Sequence, residues 1–276
     1  MAIAVLAADT TEPIPASGNP RGLPAQRLVH ESRYVRLRRV AQVFAVRRAG
    51  PVACLGVIES EHPHDTRSSY DALAVDYAER FQDELVANPW ERAVLTAFAD
   101  LVRAAGNGPV ADVGCGPGRL TGYLHGLGLD AFGIDLSPRM VEVARRVHPD
   151  LRFDVGAMPD LGLPDASLSG VVAWYSTIHV PDDLLPATFA DFHRTLTPGG
   201  HLVLAFQVGD EPLHLTEALG HPVSLEFRRR RPDRVAELLT DAGLDVRVRL
   251  VREPEAFGSQ PERTPQAYLV ARRPAG

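Results

Sequence analysis

A chain of 276 residues, 45% of them hydrophobic and 23% charged, can bury one large core or a core with an appendage, and is neither disordered nor fibrous in composition. Its formal net charge of −6 supplies no general attraction to nucleic acid or to an anionic membrane. Two cysteines, Cys54 and Cys115, exclude a disulfide framework and fit a reducing cytosol, and the complete absence of lysine excludes a lysine base or Schiff base.

No stretch reaches the roughly 20 apolar residues of a membrane span. Met1–Ala7 is too short for a secretory core and has no basic flank. Residues 10–24, rich in Pro, Gly, Ser and Thr, read as an unfolded leader. Residues 27–48 carry Arg27, Arg33, Arg36, Arg38, Arg39, Arg47 and Arg48 against one acid, Glu31. Such an arm serves nucleic acid, a partner or targeting, or it is a dispensable extension translated from upstream of the true start. The lack of a defined motif and the acidic remainder of the chain favour the extension. Residues 1–65 therefore read as a poorly ordered N-terminal extension, and 66–276 as the folded domain.

From Thr66 a helix is expected, with Tyr70, Ala74, Tyr77 and Phe81 at helical spacing. A second opens with Asn88 as N-cap and Pro89 in the first turn, and stops near Gly106. Short apolar runs at 109–113, 131–135, 151–155, 168–174 and 200–206 read as buried parallel strands, separated by helices near 119–127, 138–148 and 184–196. Ser137 before Pro138 is a helix start. Residues 207–230 read as a segment that caps a pocket. A helix near 232–242 and strands at 244–251 and 267–272 close the chain. The alternation gives an α/β class with a doubly wound sheet.

The first strand runs into Gly114-Cys-Gly-Pro-Gly118, where glycines let the backbone turn sharply and approach a ligand, and the next helix offers free N–H groups to an anion. Asp135 closes the following strand, the place from which a carboxylate reaches ribose hydroxyls. A dinucleotide fingerprint starting at Gly114 needs Gly or Ala where Arg119 stands, and one starting at Gly116 needs it at Thr121. Both registers fail, which argues against a nicotinamide-dependent oxidoreductase.

With Asp112 two residues ahead of Gly114, the D-x-G-C-G-x-G pattern and the acid at Asp135 resemble the class I S-adenosylmethionine-dependent methyltransferases. Four further stretches agree: Y-D-A-L-A-V-D-Y at Tyr70–Tyr77, F-G-I-D-L-S-P-x-M at Phe132–Met140, L-P-D-A-S at Leu163–Ser167 and L-T-P-G-G at Leu196–Gly200. The resemblance implies a Rossmann-like sheet of seven strands in the order 3-2-1-4-5-7-6, strand seven antiparallel, with S-adenosyl-L-methionine across the ends of strands one and two. It implies Gly114, Gly116 and Gly118, with Cys115 in the same loop, at the methionine part. It further implies Asp112 near the ammonium through backbone or water, Asp135 on the ribose, Leu136 on the adenine and Tyr77 over the carboxylate. Where the family often has Gly-Asp-Ala this chain has Gly156-Ala-Met158, so backbone groups of Ala157 and Met158 must serve the adenine, at a loss of about 1 kcal/mol.

The stretch Ala173–His179, at the end of strand four, would face the transferred methyl group. Tyr175 is expected to wall the cofactor, and His179 to act as base or to orient the acceptor; the alternative is a loop histidine without chemistry. Trp174 and Tyr175 serve equally as packing aromatics or as a substrate platform. Asp210, Glu211 and His214 match no compact ligand spacing, and no metal is expected. Arg228–Arg231 reads as the solvated end of an edge strand, and His62 and His64 as a surface loop. No Asn-Pro-Pro-Tyr motif is present, nor a cysteine placed for base-carbon methylation. The expected activity is methyl transfer to an oxygen, nitrogen or carbon of a small molecule in the cytoplasm, with no membrane and no nucleic acid as partner. A methyltransferase of RNA or protein using the 27–48 arm, and a non-catalytic module that kept the fold, remain the alternatives.

Overall fold

The computed structural model describes residues 62–81, 85, 88–257 and 260–275. The leader at 10–24, the basic arm at 27–48 and Cys54 lie outside the described residues.

The first helix, α1 (His62–Arg80), begins four residues before Thr66, so His62 and His64 occupy a helical turn and not the surface loop expected for them. In α2 (Pro89–Ala104), Asn88 accepts from the backbone N–H groups of Trp90 at 3.1 Å and Glu91 at 3.2 Å, which serves two of the orphan donors of the first turn. Strand and helix then alternate through β1 (Val110–Val113), α3 (Arg119–Gly126), β2 (Ala131–Asp135), α4 (Pro138–Val147), β3 (Phe153–Val155) and β4 (Leu168–Trp174). Ser137 caps α4 by accepting from Met140 N–H at 3.0 Å. Every residue of β1 and β4 is buried, as central strands covered on both faces must be.

A short 3₁₀ turn (Thr177–His179) follows β4, then α5 (Leu185–Thr195) and β5 (Leu196–Gln207). The last of these starts four residues before the apolar run at 200–206. Leu196 pairs with Leu168, and the Arg273 guanidinium donates to the Leu196 carbonyl, so a segment without strand periodicity is drawn into the sheet by its partners. Next come a separate hairpin, β6 (Leu213–Ala218) with β7 (His221–Phe227), then α6 (Pro232–Asp241), β8 (Asp245–Arg252), β9 (Ala256–Phe257), β10 (Gln260–Pro261) and β11 (Gln266–Arg272).

Seven strands form the main sheet in the order β3-β2-β1-β4-β5-β11-β8. The first five are parallel, and β11 runs antiparallel between β5 and β8. With β8 as the sixth and β11 as the seventh strand of the sheet, this is the order that the resemblance implied. The edge strand β8 alternates arginine and valine and is largely exposed, a charge pattern that discourages edge-to-edge pairing. Within residues 207–230, β6 and β7 form a two-stranded sheet outside the main one. It packs on α1, where Ser69 Oγ accepts from Ser224 N–H at 2.9 Å and Asp76 meets His221 at 2.6 Å. Among the described residues no helix is long and apolar enough to cross a membrane.

Candidate functional site

A cavity of about 160 Å³ lies at the carboxyl edge of the sheet, over the ends of β1, β2 and β4, with α1 across it. That is where parallel strands of a doubly wound sheet diverge and leave room for a ligand. Its first wall is the loop after β1. Gly114 has φ +77°, and a Cβ there would lie 2.2 Å from that of Ser176, so the loop closes on the β4 exit only because side chain is missing. Gly116, at φ +54°, would have nothing within 4 Å of its Cβ, and forms an open backbone cradle facing the cavity. Gly118 does not line the cavity: a Cβ there would strike Phe153 and His148, so this glycine serves the packing of α3 on its neighbours. The thiol of Cys115 likewise turns away, into an apolar cluster with Val141, Ala144 and Phe153.

Asp135 ties the loop to the next helix. One carboxylate oxygen accepts from Gly116 N–H at 2.7 Å and the other from Ser137 N–H at 2.8 Å. Burial pushes its pKa up to about 6, partly offset by these two bonds. Ser137 Oγ in turn donates to Asp71 at 2.6 Å, and Asp71 also accepts from Arg139 N–H, so α1 is clamped to the start of α4. Asp112 lies beneath the loop and does not line the cavity. It accepts from Thr121 Oγ1 at 2.7 Å, and burial raises its pKa to about 7 despite that bond. Tyr77, Leu136, Ala157 and Met158 all line the cavity.

The second wall follows β4. Tyr175 adopts φ +52° and lines the cavity, while its hydroxyl lies 3.5 Å from that of Tyr268 in the core. His179 is held at both nitrogens. Its Nδ1 meets the Glu226 carbonyl at 2.9 Å, and because a carbonyl only accepts, Nδ1 carries the proton. Its Nε2 therefore accepts, and the partner at 2.8 Å is the hydroxyl of Tyr70. Burial pushes the His179 pKa down to about 4 against the Glu226 bond, and the nearby Arg228 and Arg230 lower it further, so the ring is neutral at neutral pH. The Tyr70 hydroxyl is pushed well above its ordinary value, first by burial.

The arginine run corrects the sequence reading at two of its four positions. Arg230 is only 8% exposed and donates to the carbonyls of Thr177 at 2.9 Å and Val180 at 2.6 Å and to Asp182 at 2.9 Å. Arg228 donates to the His179 carbonyl at 3.3 Å and to Glu226 at 2.6 Å. The physical reason is the 3₁₀ turn, which spends its Thr177 carbonyl on Val180 N–H and its Ile178 carbonyl on Arg228 N–H and leaves the His179 and Val180 carbonyls to the guanidinium forks. Arg231 is exposed and pairs with Asp210, while His214 stands 3.7 Å from Glu226. Among the described residues no three His, Cys, Asp or Glu side chains converge as metal ligands do.

The structure thus gathers Tyr77, Gly114, Gly116, Asp135, Leu136, Ala157, Met158, Tyr175 and His179 around one cavity, and leaves Asp112, Cys115 and Gly118 behind its wall. Sequence reasoning missed Tyr70 as a site residue, although it opens the quoted Tyr70–Tyr77 motif, and used Arg119 only as a mark against a dinucleotide. Three lining residues, Arg119, Trp174 and Ser176, carry buried polar atoms without a partner. These, the open cradle at Gly116 and the acidic Asp135 suit a ligand with a carboxylate, an amine and ribose hydroxyls.

A family model described as "Methyltransferase domain" matches residues 110–200. An O-methyltransferase (cnsE) of Penicillium expansum is 36% identical over 145 residues, which cover 50% of this chain and 52% of that protein. A trans-aconitate 2-methyltransferase of Escherichia coli O7:K1 is 35% identical over 151 residues, covering 50% and 56% respectively. The chain therefore spans about half the length of these curated relatives. Among solved structures, a 1,6-didemethyltoxoflavin N1-methyltransferase of Burkholderia thailandensis superposes with a TM-score of 0.57 at 22% identity, over 81% of this chain and 94% of that one. At that identity the likeness is one of fold.

Proposed function

The chain carries a class I S-adenosylmethionine-dependent methyltransferase domain, and on that premise we propose that it binds S-adenosyl-L-methionine and methylates a small-molecule acceptor. The observation that carries this reading is the single cavity in which the Gly114–Gly116 backbone, Asp135 and the β4 exit meet under α1. Gly114 and Gly116 would hold the methionine part, Asp135 the ribose hydroxyls, Leu136 the adenine face, and backbone groups of Ala157 and Met158 its edge. Tyr77 would close over the carboxylate. When bound, the cofactor supplies a methyl group on a positively charged sulfur, open to in-line displacement by a nucleophile held close and aligned. Asp112 supports the loop from below through Thr121.

The role of His179 is indirect. Both its nitrogens are engaged, which supports Tyr70 as the group that meets the acceptor's proton. That proton would pass to the Tyr70 oxygen while Tyr70's own moves to His179 Nε2. A pKa of about 4 makes His179 a poor resting place, so the proton returns to solvent and the pair serves orientation more than basicity. Tyr175 would contribute the face of its ring. The hairpin reaches the cavity only through α1 and His179, and it would cap the site by holding those two in place. Cys115, a free buried thiol, supports a cytoplasmic setting.

The test is isothermal titration of the full chain with S-adenosyl-L-methionine and S-adenosylhomocysteine. Micromolar binding is expected, weakened roughly 10- to 100-fold by Asp135→Ala, which loses the ribose ligand and frees the Gly116 N–H. Absence of binding, or an Asp135→Ala variant that binds as the parent does, would sink the reading.

A further inference from the structure

The part of the cavity left after the cofactor's residues are set aside has a definite chemistry. Its wall is Thr66 and Tyr70 of α1, Trp174 at the end of β4, and His179, Val180 and Leu184 beyond it. Among the described residues, no lining residue of this part is charged. The one cation that lines the cavity, Arg119, stands at the start of α3 with the cofactor's residues, and the two beside the His179 turn are engaged: Arg228 by Glu226 and the His179 carbonyl, Arg230 by Asp182 and the carbonyls of Thr177 and Val180. Freeing either one to meet an acidic substrate would cost a carbonyl its side-chain donor, that of His179 for Arg228 and that of Val180 for Arg230. A carboxylate or phosphate entering here would lose its hydration with no compensating charge, an unfavourable transfer.

Two polar groups stand out in this part: the Trp174 indole N–H, a buried donor without a partner, and the Tyr70 hydroxyl, whose direction its own partner fixes. Because Nδ1 of His179 donates to the Glu226 carbonyl, Nε2 takes the proton of Tyr70, and the Tyr70 oxygen is left with lone pairs only. Tyr70 is half-buried and lines the cavity, so that oxygen is offered to a donor. The Trp174 indole and the ring of Tyr175, edge to face at 6.1 Å between centroids, supply flat apolar surface beside it.

From these observations we infer that the acceptor is an uncharged, flat aromatic or heteroaromatic molecule whose hydroxyl or ring N–H donates to Tyr70. The inference rests on the methyltransferase reading and narrows it to one substrate class. Tyr70 is then the residue that selects a protonated O–H or N–H nucleophile, and the Arg228–Arg230 pair, though basic, plays no part in substrate charge.

A matched series tests it. The full chain, saturated with S-adenosylhomocysteine at pH 7.5, is titrated calorimetrically with 2-naphthol, naphthalene and 2-naphthoate, which share one ring system and differ in the polar group. The indole N–H resonance of Trp174, assigned with Trp90→Phe, reports entry into this cavity. We expect 2-naphthol to bind at least thirtyfold more tightly than 2-naphthoate and to shift that resonance. Tyr70→Phe is expected to weaken 2-naphthol at least fivefold and to leave naphthalene unchanged. Equal or tighter binding of 2-naphthoate, no binding of 2-naphthol, or indifference of 2-naphthol to Tyr70→Phe overturns the inference while the cofactor reading stands. The first two comparisons use the parent protein, so they decide the matter even where Tyr70→Phe folds poorly. Failure of S-adenosylhomocysteine itself to bind overturns both.

Discussion

At the β1–β2 edge of the cavity the wall is mostly backbone: the loop at Gly114–Gly116 and the end of β2, tied by the Asp135 carboxylate, and the turn at Gly156–Met158, tied to them by the Asp135 carbonyl. At the β4 edge it is side chains brought from distant parts of the chain. Tyr70 meets His179 across 109 residues, His179 meets Glu226 across 47, and Arg230 meets Asp182 across 48. The first half follows from the strand order, since parallel neighbours must deliver their ends to one edge. The second depends on α1 and on a hairpin outside the main sheet, so it can be rebuilt without disturbing the sheet. A fold that keeps one donor and changes acceptors needs this division, and each half should break in its own way.

The sharpest break belongs to the backbone half. Gly114→Ala would force a methyl group to within 2.2 Å of Ser176 Cβ at a φ of +77°. Displacing the loop from the β4 exit is expected to abolish measurable cofactor binding and to cost on the order of 4 kcal/mol of stability. Calorimetry and urea denaturation read the two effects. A variant that still binds within tenfold of the parent would mean the loop tolerates a side chain there, and the contrast between the halves would fail.

The same half carries a titration with a defined sign. Burial raises Asp112 from 3.8 to about 7 and Asp135 from 3.8 to about 6, so the folded state holds these protons more tightly than the unfolded chain. Their contribution to stability is fully present below about pH 4 and is lost as pH rises through 6 to 7. Asp112→Asn keeps an acceptor for Thr121 Oγ1 and removes its share of the decline. Relative to the parent it should gain on the order of 3 kcal/mol between pH 4 and pH 8. Parallel urea-denaturation curves at the two pH values would remove Asp112 from the account.

The two halves also differ in how much of them can be read from residues in order. The glycine loop, Asp135 and the alternation of strands and helices are local signals, and their geometry follows once each segment is assigned. Sheet order came with the family resemblance, and the structure agrees with it. Asp112 and Cys115 stand in the same motif yet face away from the cavity, because Asp112 turns to Thr121 beneath the loop and Cys115 turns into the apolar cluster with Val141, Ala144 and Phe153. Tyr70 had a visible helical period, but no local pattern announces a partner 109 residues on. The arginine run misled for a related reason. Four consecutive charges look solvated until the 3₁₀ turn and the residue after it fold their carbonyls against two of them.

That run supplies the mildest break, and it tests the side-chain half alone. Arg230→Ala takes the donor from the Val180 carbonyl and the second of two donors from the Thr177 carbonyl, at a cost of about 2 kcal/mol. Because Asp182 is 78% exposed, its loss of a partner is absorbed by water and adds little. The turn that carries His179 should loosen, so the Tyr70–His179 bond is weakened and methylation of an acceptor slows about tenfold. Cofactor affinity should stay within twofold, since no group that Arg230 touches lies at the β1–β2 edge. Arg230→Lys, a cation without the fork, should recover part of the stability and little of the rate. If cofactor affinity fell as far as the rate did, the two halves would be one cooperative unit, and the division drawn between them would have to be given up.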